Sequence, residues 1–184
     1  MKLIISIGNP GKEYQYTRHN FGHLSIDALA EKKNLVWKKN KKANSFTVDF
    51  QNGREKIVLA KTDVYMNESG KAVRALKSFY KMPNHKIIII HDDIDLPFSK
   101  IRLSTKRGDG GHKGIENIIK HLKSKDFKRI RLGIGPQKGK SEDFVLKKFN
   151  SEEKKRLSEL IDTSHLVIET LLEKGFDKAA NKYN

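Results

Sequence analysis

Asn9, His19, Asn67 and Asp92 are residues of the types that hydrolytic chemistry uses. His19 and Asp92 together have the makings of a general base. An imidazole can take a proton from water near neutral pH, and a carboxylate can orient the ring and stabilise the imidazolium that forms. A covalent acyl-enzyme is not expected: the chain has no cysteine, and no serine stands in a GxSxG elbow. The run His91-Asp92-Asp93-Ile94-Asp95 gathers carboxylates of the kind that hard cations take. It lacks the loop spacing of a calcium site, and the chain has no HExxH, so neither a metal nor a cofactor is expected. A metal-dependent hydrolase built on Asp92, Asp93 and Asp95 stays open as a distant alternative.

Each of these residues also has an ordinary structural reading. Asn9 in Asn9-Pro10-Gly11 is a turn residue. His19 reads as a residue at a helix start, and Asn67 as a helix N-cap. Asp92 has the stronger functional claim, because a carboxylate at the end of a buried strand needs a partner. The glycine-rich segment Gly108-Asp109-Gly110-Gly111-His112 is no phosphate cradle of known type: it lacks GxxxxGK[ST] and does not follow the first strand as GxGxxG should. It reads as a mobile flap hinged on glycines.

The elements that must position these groups alternate between strand and helix. Leu3–Ile7 is a short apolar strand ending in the turn Asn9-Pro10-Gly11. Phe21, Leu24, Ala28 and Leu29 recur at helical spacing, predicting a helix over about residues 20–33. Phe46–Phe50 and Lys56–Ala60 read as strands flanking the Asn52-Gly53 hairpin turn. A helix capped by Asn67 and stopped by Pro83 follows, then the isoleucine strand Ile87–Ile90. Lys100–Ser104 and Arg129–Ile134 are further strands, with a helix marked by Ile115, Ile118, Ile119 and Leu122 between them. Ser151 to about Lys174 is a long amphipathic helix, capped by Ser151, with Glu152 and Glu153 favoured by the helix dipole. This order predicts an α/β fold: a single three-layer domain over residues 1–184, with a mixed central β-sheet and helices on both faces. In such folds ligands bind outside the carboxyl ends of the strands, where Asn9, Asn67 and Asp92 fall.

The bulk composition narrows the partner. A chain of 184 residues with net charge +16 should attract polyanions, nucleic acid above all, although lysine-rich composition alone gives the same surplus. The absence of cysteine suits a reducing cytoplasm. No segment approaches the roughly 18 apolar residues of a membrane span, and the apolar start is too short for a signal peptide. A soluble, cytoplasmic, monomeric protein with no membrane partner is expected.

Five segments, in order, resemble the bacterial peptidyl-tRNA hydrolase family. They are Gly8-Asn9-Pro10-Gly11 with Tyr14 and Thr17-Arg18-His19-Asn20-Phe21-Gly22; Tyr65-Met66-Asn67-Glu68-Ser69-Gly70; His91-Asp92-Asp93-Ile94-Asp95-Leu96-Pro97; Gly110-Gly111-His112-Lys113-Gly114; and Arg131-Leu132-Gly133-Ile134-Gly135. One such motif is weak evidence; five in register are not. The resemblance implies hydrolysis of the ester joining a peptide to tRNA, recycling tRNA from stalled or aborted translation. It implies His19 as the catalytic base held by Asp92. Asn9, Tyr14, Tyr65, Met66, Asn67, His112 and Lys113 would bind the substrate around the scissile ester. Asparagine amides suit this work because each both donates and accepts. Arg102 and Arg131 would hold tRNA phosphates, and Lys106 and Arg107 are expected to compensate for a further basic position of the family that is Ser104 here.

Three positions depart from the family pattern. Lys113 stands where the family has asparagine, Ser104 replaces a basic residue, and Thr62 replaces a proline. Lysine donates but cannot accept, so Lys113 is expected to meet a phosphate or the 3′-terminal nucleotide. An RNA-binding module that has lost catalysis is the alternative that Lys113 keeps open; Asn9, His19, Asn67 and Asp92 count against it.

Overall fold

The computed structural model describes residues 1–137 and 139–184. Its strands are β1 (Lys2–Ser6), β2 (Lys38–Asn40), β3 (Ser45–Asn52), β4 (Glu55–Thr62), β5 (Ile87–Pro97), β6 (Ile101–Thr105) and β7 (Lys128–Gly135). The helices are α1 (Phe21–Lys32), α2 (Ser69–Phe79), α3 (Lys113–Leu122), α4 (Ser141–Leu146), α5 (Ser151–Lys174) and α6 (Phe176–Tyr183). The seven strands form one sheet in the order β2-β3-β4-β1-β5-β7-β6. The central pairs β4–β1, β1–β5 and β5–β7 are parallel, and the outer pairs are antiparallel. The α/β class and the mixed sheet expected from the sequence are both present.

Side chains alternate across a strand, so the apolar runs of the central strands feed two cores. Ile4, Ile88, Ile90, Ile130 and Leu132 pack on one face with Ile26 and Leu29 of α1 and Val167, Ile168 and Leu171 of α5. Leu3, Ile5, Ile87 and Ile89 pack on the other with Val73 and Leu76 of α2 and Ile115 and Ile118 of α3. Each face is thus closed by helices, as parallel strands require. Cutting Ile89 back to alanine in such a core would cost about 2–5 kcal/mol.

Two tight contacts bring the chemistry together. A Cβ on Gly22 would sit 2.8 Å from the Ile90 carbonyl oxygen, so only glycine lets the start of α1 press on β5 beside Asp92. A Cβ on Gly114 would meet Met66 Sδ at 2.5 Å, so a larger residue would push the Met66 side chain aside where the first turn of α3 crosses the 3₁₀ turn Met66–Glu68.

Several boundaries differ from the sequence reading. β5 runs on through His91, Asp92 and Asp93, which pair with Arg131, Leu132 and Gly133 of β7. Asp92 therefore lies within the strand, one residue before the register shift that begins at Asp93. Asn67 caps no helix: it lies in the 3₁₀ turn Met66–Glu68, and α2 begins after it. The long helix is capped by Asn150 rather than Ser151, in a reciprocal capping box with Glu153. β2, α4 and α6 carry no clear sequence signal; β2 is Lys-Lys-Asn, and α4 buries only Phe144.

Candidate active site

The site starts from Asp92, a carboxylate only 1% exposed that would be prohibitive without partners. It has two. His19 Nδ1 lies 3.0 and 2.9 Å from its two oxygens, and His112 Nε2 lies 3.0 Å from Oδ1. Burial alone would raise the Asp92 carboxyl. The electrostatic pull of the His19 and His112 N–H groups, and the hydrogen bonds that they donate, overcome that and hold it well below the usual carboxylate range.

The far side of His112 fixes its tautomer. Its Nδ1 caps α3, accepting the backbone N–H of Gly114 at 3.1 Å and of Ile115 at 3.4 Å. The proton of the neutral ring is therefore on Nε2, and Nε2–H donates to Asp92. His19 in turn donates Nδ1–H to the same carboxylate, which leaves its Nε2 lone pair unused by Asp92. Beneath them His91 packs edge-on to His112, with ring centroids 4.8 Å apart, and donates Nδ1–H to the Asp92 carbonyl at 2.6 Å. Burial, then the neighbouring His112, keep His91 neutral, well below the usual histidine range.

Asn9 is clamped by a residue to which the sequence reading gives no role. The side chain of Asn20 accepts the Asn9 N–H at 2.8 Å and donates to the Asn9 carbonyl at 2.9 Å. Asn9 Oδ1 accepts the Met66 N–H at 2.8 Å, which assigns the oxygen and leaves Nδ2 as a donor. Asn20 is visible within the first motif, yet only the fold shows that its amide reads the backbone of Asn9 on the facing loop.

These groups open onto a cleft of about 680 Å³. Asn9, Tyr14, His19, Tyr65, Met66, Asn67, Asp92, His112 and Lys113 all line it, so the structure brings together every residue expected at the catalytic and substrate positions. Tyr14 and Tyr65 meet edge to face at 6.4 Å, and Tyr65 is 53% exposed. Asp93, Ile94, Asp109, Gly110, Gly111, Ser141, Glu142, Val145 and Leu146 complete the lining. Most of that unanticipated wall comes from α4 and the glycine-rich segment. The latter is a turn in which Gly110 and Gly111 both take positive φ and the Asp109 carboxylate accepts the Gly111 N–H at 2.9 Å.

The residues expected to hold tRNA lie outside the cleft. Arg102, Lys106 and Arg107 are exposed on β6 and the segment after it. Arg131 does not have the surface position expected of it. It is 5% exposed, and its Nε donates to Asp93 at 2.6 Å, because it sits inside the sheet on β7 opposite Arg102. Arg129, two residues earlier on β7, is also buried. Its guanidinium donates to the carbonyls of Arg107 and Gly108, so it holds the base of the glycine-rich turn.

His19, Asp92 and His112 each turn one ligand-type atom to within 4.8 Å of the others. The His112 nitrogen facing Asp92 carries the donated proton, so as arranged the group is a hydrogen-bonded network. The other carboxylates of the acidic run are separated from it: Asp93 serves Arg131 and the Asp95 N–H, and Asp95 is exposed.

The family model described as Peptidyl-tRNA hydrolase matches residues 3–184. Curated relatives of that name are 41% identical in Listeria monocytogenes and 42% identical in Bacillus subtilis, with 100% of this chain and 99% and 98% of theirs aligned. The crystal structure of peptidyl-tRNA hydrolase from Acinetobacter baumannii superposes with a TM-score of 0.92 at 33% identity, covering 100% of this chain and 94% of that one. A family match over nearly the whole chain, with relatives above 40% identity aligned end to end, is decisive, and the chain belongs to the peptidyl-tRNA hydrolase family.

Proposed function

We propose that His19 is the general base with which this enzyme cleaves peptidyl-tRNA into free peptide and tRNA. The observation that carries the reading is the His19–Asp92–His112 network at the floor of the cleft. With Nδ1–H committed to Asp92, His19 takes a proton from water on Nε2, and Asp92 stabilises the imidazolium that results. The activated water attacks the ester carbonyl that joins the peptide to the terminal ribose. His19 then holds a proton within reach of the leaving ribose oxygen.

Asn9 Nδ2 and the amide of Asn67 serve as donors to the peptide carbonyls and to the developing oxyanion, each good donor being worth about 10²–10³ in rate. Tyr14, Tyr65 and Met66 shape the cleft around the peptide. Lys113 carries a charge at the mouth, with Nζ 3.5 Å from Glu116, and is available to a phosphate or the 3′-terminal nucleotide. Arg102, Lys106 and Arg107 hold tRNA through its backbone, largely without reading sequence. Arg131 acts behind that surface, keeping Asp93 paired.

The test is hydrolysis of N-acetylaminoacyl-tRNA in ¹⁸O-water under single-turnover conditions. The reading expects one solvent oxygen in the released carboxylate and no acyl-enzyme at early times. A trapped covalent acyl-enzyme would overturn the role given to water and His19.

A further inference from the structure

We infer that Arg18 is a positioning residue that sets the α4 wall of the cleft against His19, and that this wall receives the peptide end of the substrate. The inference rests on the reading of the cleft as the site of peptidyl-tRNA hydrolysis.

Arg18 precedes His19 in the chain and is turned the other way, into the protein, where it is 5% exposed. Its backbone N–H donates to the Lys147 carbonyl at 3.1 Å. Its guanidinium donates to the carbonyls of Lys147 and Lys148 at 3.2 and 2.9 Å and to Glu153 at 2.5 Å. It also lies over the rings of Phe144 and Phe149, 4.5 and 5.6 Å from their centroids. The same Glu153 oxygen accepts the Asn150 N–H at 2.7 Å, so the start of α5 is tied into the contact. One side chain thus fastens the C-terminal end of α4 to the start of α5. Six-residue helices do not persist unaided, and α4 buries only Phe144, so its place depends on this anchor. A planar fork that meets two carbonyls and a carboxylate while stacking on aromatic rings is work that lysine cannot copy.

The chemistry of α4 says which part of the substrate it faces. Val145 and Leu146 line the cleft, and Leu146 is 47% exposed, an apolar side chain left uncovered at the wall. Glu142 lines it as well, with Asp143 beside it in the first turn. Exposed Lys140, Lys147 and Lys148 flank these carboxylates, so the apolar side chains and not the net charge give this wall its character. An apolar wall suits peptide side chains of varied kind.

The experiment measures steady-state hydrolysis by the wild type, Arg18→Lys and Glu153→Gln. Its substrates are N-acetylaminoacyl-tRNA and a tRNA carrying a tetrapeptide, and binding of deacylated tRNA is measured in parallel. Loss of one or two hydrogen bonds at the anchor is expected to raise KM for the tetrapeptidyl substrate about tenfold in Arg18→Lys and about threefold in Glu153→Gln. The kcat, its pH profile and the affinity for deacylated tRNA stay within about twofold. Unchanged KM with a lowered melting temperature would make Arg18 a brace for stability alone and overturn the inference. A fall in kcat without a rise in KM, or a parallel loss of deacylated-tRNA binding, would overturn it equally. If Arg18→Lys does not fold, Glu153→Gln decides by the same criteria. A wild type that cleaves neither substrate removes the enzymatic reading itself, and the inference with it.

Discussion

Replacing Asp92 by asparagine should disable the site by moving a proton rather than by moving atoms. Asp92 accepts from two ring N–H groups, at 2.9–3.0 Å each. An asparagine of the same shape offers one acceptor and one donor, so one histidine must turn an acceptor towards it. His112 is unable to comply cheaply. Its Nδ1 holds the first turn of α3 through two backbone N–H groups, and shifting the proton there would forfeit that cap, worth about 1 kcal/mol, and orphan both donors. Among the described residues, none engages His19 Nε2 in such a bond. In Asp92→Asn the new amide oxygen therefore goes to His112 and the new NH₂ to His19 Nδ1, which places the His19 proton on Nε2. The base is then protonated where it should accept. The expected loss in kcat is about 10³–10⁴, the scale of a wrong-tautomer defect, equivalent to about 4–5.5 kcal/mol of barrier. Asp92→Ala removes the partner without imposing a tautomer and should be no worse than Asp92→Asn. The assay is single-turnover release of N-acetylaminoacyl groups, with the folded state of each variant checked by its melting temperature. If Asp92→Asn keeps activity within about tenfold of the wild type, or is clearly more active than Asp92→Ala, the tautomer argument is wrong.

Three further expectations follow from the same geometry. Asn9→Asp keeps the acceptor for the Met66 N–H and removes the Nδ2 donor, so the variant should fold normally and lose about 10²-fold in kcat; unchanged kcat would show that Asn9 only shapes the turn. Lys113→Asn should weaken tRNA binding and reduce the slope of log affinity against log salt by about 0.7–1, whereas an unchanged slope would take Lys113 away from phosphate. Acid should destabilise the fold through buried neutral histidines. His23 accepts from Ser6 on Nδ1 and donates from Nε2 to the Thr62 carbonyl, and burial, aided by the Lys61 charge, lowers it to about 3. An unfolded histidine titrates near 6.5, so the stabilisation is complete above that pH. It falls by up to about 1.4 kcal/mol per pH unit as pH drops towards 3. Asp92 adds its own loss only from the unfolded carboxylate range downwards, because its carboxyl is held low. Urea midpoints between pH 7 and 4.5 measure this, with a shallower slope for His23→Gln; a flat profile would contradict it.

The apolar pattern brings the central sheet into view. Ile87–Ile90 is a fully buried run, and the hairpin joining β3 to β4 is present, although its two turn residues are Gly53 and Arg54, with Asn52 still paired to Glu55 at the end of β3. Polar strand residues are harder to read. His91 to Asp93 resemble a loop, because nothing in their types shows that β7 continues to pair with them. The same blindness hides the fate of Arg131. Its charge suggests the surface, while β7 places it inside the sheet between Ile130 and Leu132, where Asp93 neutralises it. α4 escapes a sequence reading because six residues with one buried side chain leave no helical period. The cleft residues that are legible come from motif likeness. Their convergence, the Asn20 clamp and the fixed tautomer of His112 are properties of three-dimensional packing that no local pattern encodes.

The most direct test of the central claim compares the purified protein with its His19→Ala variant on N-acetylaminoacyl-tRNA, in the presence of EDTA and with tRNA binding measured for both. The account predicts that the wild type releases the acetylaminoacyl group undisturbed by EDTA. His19→Ala should bind tRNA equally well and lose at least about 10³-fold in kcat. Hydrolysis that survives in His19→Ala, or that EDTA abolishes in the wild type, would contradict it.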